Sequence, residues 1–271
     1  MDLTFFHNNI KNNLGASRIF NLKGSSAALF FALSDEPFLA LELNEERGQK
    51  LHRNINFFRN ALKKAPVLFL PDPNGPGLSG ERAKVIYSLT KEDSLVSSCR
   101  NLQSGLWTRE TIAKNILHLA KGMEVQRQGI EQKIRDMGYK SVSLVSEKGE
   151  FSRRGWLMDV FPSTSENPLR IEFFGDEIES IKVFDVDTQR SGQDIPECTI
   201  FPAEDPQDGA TLFQLKGQRR FFCSDAIETR DNIPPDSVIF SSYAIQGHGY
   251  DAGVLPFTGL GILPEERKHV G

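Results

Sequence analysis

The stretch GEFSRRGWLMDVFPSTSENPLRIEFFGDEIESIKVFD, residues 149–185, decides the fold of the central part of the chain. Its apolar runs predict strands over about 151–161, 169–174 and 177–184. Turn-forming residues fill the gaps, with Ser, Asn and Pro at 163–168 and Gly-Asp-Glu at 175–177. Strands joined by such short turns predict an antiparallel meander.

Side chains on a strand point alternately to its two faces. In LRIEFF this alternation places Leu169, Ile171 and Phe173 on an apolar face that is expected to be core. The opposite face then carries Arg170, Glu172 and Phe174.

Two more arginines, Arg153 and Arg154, lie in the first predicted strand. If that strand pairs with LRIEFF as a hairpin, one of these arginines shares the face of Arg170. Arginine and aromatic residues are enriched in protein interfaces, but an ordinary solvated sheet face carries the same residue types. The pattern alone leaves both interpretations open.

The flanking sequence predicts a small α+β domain over residues 116–202 around this meander. NILHLA, 115–120, has the pattern of a strand, and KSVSLVS, 140–146, alternates like a half-buried strand. Between them, Ile130, Ile134 and Met137 mark one face of a helix, and Gly138 follows where a helix C-terminus favours glycine.

Residues 1–115 predict a different architecture, because apolar strands alternate with helical patterns. A helix starting after Asn44 has an apolar stripe of Leu51, Ile55, Phe58 and Leu62. The predicted strands are 17–22, 37–43, 67–71 and 93–99, and the other predicted helices are 25–33 and 81–89. Strands separated by helices predict a parallel sheet covered on both faces. The fold class is therefore α/β, with a separate small α+β domain of antiparallel strands.

Residues 203–271 give a weaker signal and are predicted to be a remaining α/β-associated segment with an extended tail. RRFFCS, 219–224, and DSVIFSS, 236–242, are predicted strands. The sequence from Tyr243 onward is rich in Gly and Pro and shows no period.

Composition bounds the class of protein. The 271 residues are 39% hydrophobic and 25% charged, as in soluble globular proteins, and the net charge of −4 does not predict broad binding to nucleic acid. Three widely spaced cysteines argue against a disulfide framework. No apolar run has the length of a membrane helix and no signal peptide is recognised, so we expect a cytoplasmic protein without membrane contact.

The chemistry-bearing motifs of enzymes are not recognised in the sequence. Gly24, Ser25 and Ser26 lie between a predicted strand and a helix, where a phosphate-binding loop would lie, but no lysine follows the glycine. We interpret these three residues as a degenerate, non-functional phosphate loop. The histidines lack metal-ligand spacing. We therefore expect no catalysis, no cofactor and no metal.

Residues 138–191 resemble a segment shared by the bacterial transcription-repair coupling factor (Mfd) and the excision-repair protein UvrB. The resemblance rests on GEFSRRGWLMDVFP, RIEFFGDEI and FDVDTQR, and the last of these is nearer to the coupling factor. A weaker, colinear similarity extends over most of residues 1–205. The resemblance implies a helicase-like α/β domain that has lost its nucleotide motifs, with an inserted domain that binds UvrA.

In this family, the UvrA-binding surface uses the arginine before the glycine, the arginine that begins R-x-E-F-F, and the second phenylalanine of that strand. The resemblance therefore implies Arg154, Arg170 and Phe174 as partner-binding residues. Glu172 is a supporting candidate because it lies between two of them. Arg153 departs from the family pattern, and it is expected either to add to the surface or to be solvated.

The function that follows is a non-enzymatic N-terminal module that binds UvrA and recruits nucleotide excision repair to stalled RNA polymerase. RNA polymerase and DNA would be contacted only through domains that this sequence lacks, as in a fragment or a truncated homologue. Two alternatives remain, a UvrB-like DNA-damage ATPase or helicase fragment and an autoinhibitory module packed on its own protein. For UvrA binding, we expect that reversing the charge of Arg170 weakens the interaction without unfolding the domain.

Overall fold

The computed structural model describes residues 18–20, 22, 25–73, 79–206, 208–217, 219–224, 237–240 and 250–251. The strands are β1 Arg18–Phe20, β2 Phe38–Glu42, β3 Leu68–Phe69, β4 Leu95–Ser98, β5 Leu117–Ala120, β6 Lys140–Ser141, β7 Glu150–Arg154, β8 Leu157–Val160, β9 Leu169–Phe174, β10 Glu177–Phe184, β11 Ser191–Asp194, β12 Glu197–Ile200, β13 Arg220–Ser224, β14 Val238–Phe240 and β15 Tyr250–Asp251. The α-helices are α1 Ser26–Leu33, α2 Glu45–Ala61, α3 Gly80–Ser88, α4 Arg109–Asn115, α5 Arg127–Asp136 and α6 Leu212–Lys216, and a 3-10 helix spans Cys99–Leu102.

These elements form two compact units. The first, which we call the parallel unit, takes the described residues within 1–72, 89–103 and 212–271. The second, which we call the antiparallel unit, takes those within 73–88 and 104–211.

The parallel unit is built on a seven-stranded sheet in the order β15-β1-β14-β13-β2-β4-β3. Every neighbouring pair in this sheet is parallel, which confirms the expected parallel architecture. All five residues of β2 are buried, as expected for a strand covered on both faces. The core includes a group of aromatic side chains in which the Phe31 ring packs edge-on against Phe222 and Phe240.

Helix α2 begins where the sequence predicts it. The side chain of Asn44 accepts a hydrogen bond from the backbone N–H of Arg47, at 3.0 Å, and so satisfies one of the free donors of the first turn. Leu51 and Ile55 of the predicted stripe are buried in the core, and Phe58 and Leu62 pack partly buried against it.

The antiparallel unit contains a six-stranded sheet in the order β11-β10-β9-β8-β7-β6. Neighbours are antiparallel except for β6 and β7, which are parallel. Strands β5 and β12 form a separate antiparallel ribbon. The core joins one face of the sheet to Ile130 and Ile134 of α5 and to residues of the ribbon. We call the other face of this sheet the open face.

The structure corrects the predicted strand over residues 151–161. The chain reverses at Gly155 and Trp156, so this stretch is a hairpin of β7 and β8. Gly155 has φ of +60°, in the left-handed region that glycine enters without steric cost. The sequence pattern did not reveal this turn because apolar and polar residues continue through it without a loop-like interval.

Other boundaries differ in smaller ways. The predicted strand over 140–146 is wrong beyond Ser141, since β6 is two residues long. The predicted strand over 115–120 begins at Leu117, and Asn115 ends helix α4. Strands β11 and β12 were not predicted, while β13 and β14 confirm the predicted strands near 219–224 and 236–242. Most of the predicted tail lies outside the described residues.

Candidate partner-binding surface

The alternation predicted for β9 is confirmed. Leu169, Ile171 and Phe173 are buried in the core. Arg170 and Glu172 are half-buried on the open face, and Phe174 follows them with 78% of its surface exposed. A phenylalanine this exposed contributes little to folding and is free to contact a partner.

Strand register brings two of the predicted arginines together around a carboxylate. Asp159 of β8 pairs with Ser152 of β7 on one side and with Arg170 of β9 on the other. The carboxylate accepts from Arg170 at both oxygens, with Nε–Oδ1 at 2.7 Å and Nη2–Oδ2 at 2.9 Å. Arg154 donates its Nη2 to the same Oδ2 at 2.9 Å. We call Asp159, Arg154 and Arg170 the open-face cluster.

The two arginines of this cluster differ in exposure. The Arg170 side chain is only 12% exposed, whereas that of Arg154 is 49% exposed. Arg170 also donates to the carbonyl of Gln189 at 3.1 Å, and its guanidinium lies 4.7 Å from the ring centroid of Phe184. The hydrogen bonds to Asp159 raise the pKa of Arg170 above its ordinary value. The Arg170 guanidinium is therefore fixed by contacts with Asp159, Gln189 and Phe184, whereas more of the Arg154 side chain is exposed to solvent.

Glu172 is tied to the neighbouring strand. Its Oε2 accepts from Ser180 Oγ at 2.6 Å and from Lys182 Nζ at 2.7 Å. Burial works to raise the pKa of this carboxyl, but the hydrogen bonds from Lys182 and Ser180 outweigh it and the pKa is lowered. Glu172 therefore remains a carboxylate paired with its own sheet.

Arg153 lies on the opposite face from Arg154. Its Nη1 donates to Glu131 Oε2 of helix α5 at 2.6 Å. Arg135 of the same helix donates to Glu131 Oε1 at 2.8 Å, and the two arginine hydrogen bonds lower the pKa of Glu131. We call Glu131, Arg135 and Arg153 the helix-side cluster. The structure thus brings Arg154 and Arg170 together and separates them from Arg153.

Two residues of this region were missed in the sequence. Asp159 is 1% exposed, and the pattern could have singled it out as an acid between Met158 and Val160 in a buried strand. Trp156 is 55% exposed in the β7–β8 turn, and its carbonyl accepts from the N–H of Phe173 at 2.9 Å. It therefore lies at the same end of the sheet as Phe174.

The residues interpreted as a degenerate phosphate loop are only partly described. Gly24 lies outside the described residues. Ser25 precedes α1, where its carbonyl accepts from the N–H of Leu29 at 3.0 Å, and Ser26 is buried in the first turn.

The described part of the chain contains neither a metal-binding cluster nor a membrane-spanning helix. Within it, His, Cys, Asp and Glu form no group of three or more that could hold a metal ion. Nor does any helix there have the length and apolarity needed to cross a membrane.

Comparison with known proteins gives matches to the antiparallel unit and beyond. Residues 117–205 match the family described as the UvrB interaction domain. The chain is also similar to the transcription-repair-coupling factor of Escherichia coli K12, with 39% identity over 192 residues, 68% of this chain and 17% of that protein.

Two further relatives carry the same name. The factor from Staphylococcus aureus strain bovine RF122 is 34% identical over 183 residues, which are 65% of this chain and 16% of that protein. The factor from Myxococcus xanthus is 31% identical over 213 residues, 73% of this chain and 17% of that protein. The matched region thus spans about a sixth of each of these relatives.

Proposed function

From the premise that residues 117–205 match the UvrB interaction domain and that the chain is related to transcription-repair-coupling factors, we propose that it is a UvrA-binding module. The antiparallel unit binds UvrA through its open face. By this contact the module recruits nucleotide excision repair to stalled RNA polymerase. The module acts by binding and not by catalysis.

One observation supports the proposal: a half-exposed arginine and a highly exposed phenylalanine lie on the same face of the matched interaction domain. Arg154 exposes 49% of its side chain and Phe174 exposes 78%. Arginine and aromatic residues dominate the binding energy of many interfaces. The partner is expected to present carboxylates to Arg154 and an apolar pocket to Phe174.

Arg170 and Glu172 have secondary roles in this proposal. Arg170 exposes only 12% of its side chain. Glu172 is paired with Lys182, which lies opposite Arg170 in the neighbouring strand. Arg153 is left out of the proposed surface because it lies on the other face and is paired with Glu131.

For the parallel unit we propose a helicase-like scaffold that does not bind nucleotide. The all-parallel sheet and the helix that follows β1 are compatible with such a scaffold. Gly24 is followed directly by two serines and not by the lysine that a phosphate loop uses to neutralise the phosphates. Measurable ATP binding by the purified chain would contradict this part of the proposal.

The decisive experiment is titration of the purified chain with UvrA, comparing wild type, Arg154→Ala and Arg153→Ala. We expect Arg154→Ala to weaken binding about tenfold, since loss of an interface arginine commonly removes more than about 1 kcal/mol. Arg153→Ala is the matched control, as it removes the adjacent arginine from the other face. Arg153→Ala loses a partly exposed ion pair, so its free energy of unfolding should change by less than about 1 kcal/mol. Arg154→Ala leaves the buried Asp159 its two-pronged contact with Arg170, so this variant should also stay folded, and urea unfolding of both variants checks this.

Two results would contradict the proposal. A folded wild-type chain that does not bind UvrA refutes the function itself. Equal binding by wild type and Arg154→Ala refutes the open face as its site.

A further inference from the structure

The carboxylate of Asp159 is an unusual group for an open sheet face. It is 1% exposed, although the surface it underlies is the one proposed to meet a partner. An acid so deeply buried is tolerated only when its charge is paired and hydrogen-bonded. Asp159 meets this need with three hydrogen bonds, two from Arg170 and one from Arg154.

The two arginines contact this carboxylate in different ways. Arg170 forms a two-pronged contact with both oxygens, and this geometry fixes the orientation of the carboxylate as well as that of the guanidinium. Arg154 then donates to Oδ2, an oxygen whose position is already fixed. Half of the Arg154 side chain is exposed to solvent. Its hydrogen bond to Oδ2 therefore fixes the position of the guanidinium group over the sheet.

Holding a long side chain in one conformation before binding increases affinity. A free arginine loses much rotamer freedom when a partner immobilises it, and that loss opposes binding. An arginine already fixed by a neighbouring carboxylate loses less. The guanidinium also has five N–H donors in a planar fork, so a single bond to Asp159 leaves donors for the partner's acids.

We propose that Asp159 is a positioning residue that holds Arg154, through the Asp159–Arg170 pair, in the conformation that binds UvrA. This inference rests on the proposed function and deepens it. Asp159 is not itself a contact residue, because only 2% of its side chain is exposed and its carboxylate is already paired with the two arginines.

The helix-side cluster supplies a matched control. Glu131 also accepts from two arginines, Arg135 and Arg153, but on the face turned away from the proposed surface. Asp159→Asn and Glu131→Gln make the same chemical change at the two clusters, since each replaces a paired carboxylate by an amide of the same size.

The test measures UvrA binding by the full 271-residue chain for wild type, Asp159→Asn and Glu131→Gln, with thermal melting of each. We expect Asp159→Asn to weaken binding on the order of tenfold, within the usual range of coupling between contacting residues. Glu131→Gln should bind as wild type does. If Asp159→Asn is unfolded at the temperature of the assay, Asp159→Glu replaces it, because that variant keeps the charge and shifts it by one methylene.

Double-mutant cycles separate positioning from general damage to the sheet. If Asp159 acts through Arg154, the effect of Asp159→Asn should fall below about threefold in the Arg154→Ala background, because the group it positions is gone. In the Phe174→Ala background the effect should persist in full. A merely structural role would give the same effect in both backgrounds.

The failures of the two proposals are distinguishable. If folded wild type does not bind UvrA, the proposed function fails. If wild type binds, and either Asp159→Asn binds equally well or its effect adds in full to that of Arg154→Ala, the positioning role is wrong and the proposed function stands.

Discussion

Two clusters of similar composition lie at the two faces of the six-stranded sheet, one formed within the sheet and the other formed by Arg153 of the sheet with Glu131 and Arg135 of helix α5. Each cluster has one carboxylate between two arginines, Asp159 in the open-face cluster and Glu131 in the helix-side cluster. The Asp159 side chain is 2% exposed, whereas that of Glu131 is 21% exposed. Equal charge and similar distances therefore do not make the two clusters equivalent.

The two clusters differ in how far the charge of the acid depends on its arginines for compensation. Water still reaches Glu131, so an exposed pair of this kind stabilises the fold by no more than about 1 kcal/mol. Asp159 is shielded from water, and among the described residues its charge is compensated by hydrogen bonds from Arg154 and Arg170. The open-face cluster thus has a part in folding as well as in the proposed binding, and the helix-side cluster has a minor part in folding alone.

The strongest test of this comparison is charge reversal at the better-buried arginine of each face. Arg170→Glu places a second acid against Asp159, and removing one partner of a buried pair costs about 3–5 kcal/mol. Arg153→Glu places an acid near the more exposed Glu131, and its cost should stay within about 1 kcal/mol. Urea unfolding of both variants measures the difference. Equal free energies of unfolding would show that the two clusters contribute equally to stability.

The contact between Arg170 and Asp159 also makes Arg170 a poor site for a variant that is meant to affect binding alone. Charge reversal at Arg170 was expected from the sequence to weaken UvrA binding without unfolding the domain. Because Arg170 holds the buried Asp159, a loss of binding in Arg170→Glu would reflect lost folding as well as a lost contact. Arg154 is the better site for a binding variant because its side chain is half exposed.

A second test concerns an open-face residue that should affect binding alone. Phe174→Ala is expected to weaken UvrA binding by about 2 kcal/mol, roughly thirtyfold, if the ring fills a pocket in the partner. The free energy of unfolding should change by no more than about 0.5 kcal/mol, because the ring is 78% exposed. Titration calorimetry and urea unfolding on the same samples measure the two quantities.

Phe57 provides the control for this substitution. It lies in α2 of the parallel unit and is 53% exposed, so Phe57→Ala removes a similar exposed ring that is not part of the antiparallel unit. We expect it to bind UvrA as wild type does. A loss of affinity as large for Phe57→Ala as for Phe174→Ala would mean that the effect of Phe174→Ala is not specific to the open face.

Much of this arrangement could be predicted from local sequence. The period-two pattern of LRIEFF assigned six side chains to the correct faces of β9. The Asn44 cap and the apolar stripe after it predicted the start and buried face of α2. Such features depend on neighbours along the chain, which the sequence displays directly.

The acid at the centre of the open-face cluster could not be predicted in this way. Asp159 meets Arg154 and Arg170 only because the hairpin turn at Gly155 and the register of three strands bring them together. The same turn decides which of two adjacent arginines faces the surface. Alternation requires Arg153 and Arg154 to point to opposite faces, but only the register tells which one joins Arg170.

The smallest expected effect on the free energy of unfolding comes from a buried hydroxyl group on the core side of the sheet. Tyr139 follows α5 and is 4% exposed, and its hydroxyl donates to the carbonyl of Phe201 at 2.8 Å. It also accepts from the N–H of Ser163 at 3.3 Å. Loss of the hydroxyl in Tyr139→Phe should lower the free energy of unfolding by about 1 kcal/mol at neutral pH.

The pH dependence of this variant distinguishes the hydroxyl from simple packing. Burial raises the pKa of Tyr139 from 10.0 to about 12 in the folded chain. The folded state therefore retains its proton where the unfolded state loses it, so this contribution to stability is present below about pH 10 and declines as the pH rises towards 12. Between pH 8 and pH 11 wild type should lose roughly 1.4 kcal/mol that Tyr139→Phe does not lose, which offsets the deficit of the variant. Urea unfolding at both pH values measures this, and a difference between the two proteins that stays constant with pH would show that the core side does not depend on a neutral hydroxyl at Tyr139.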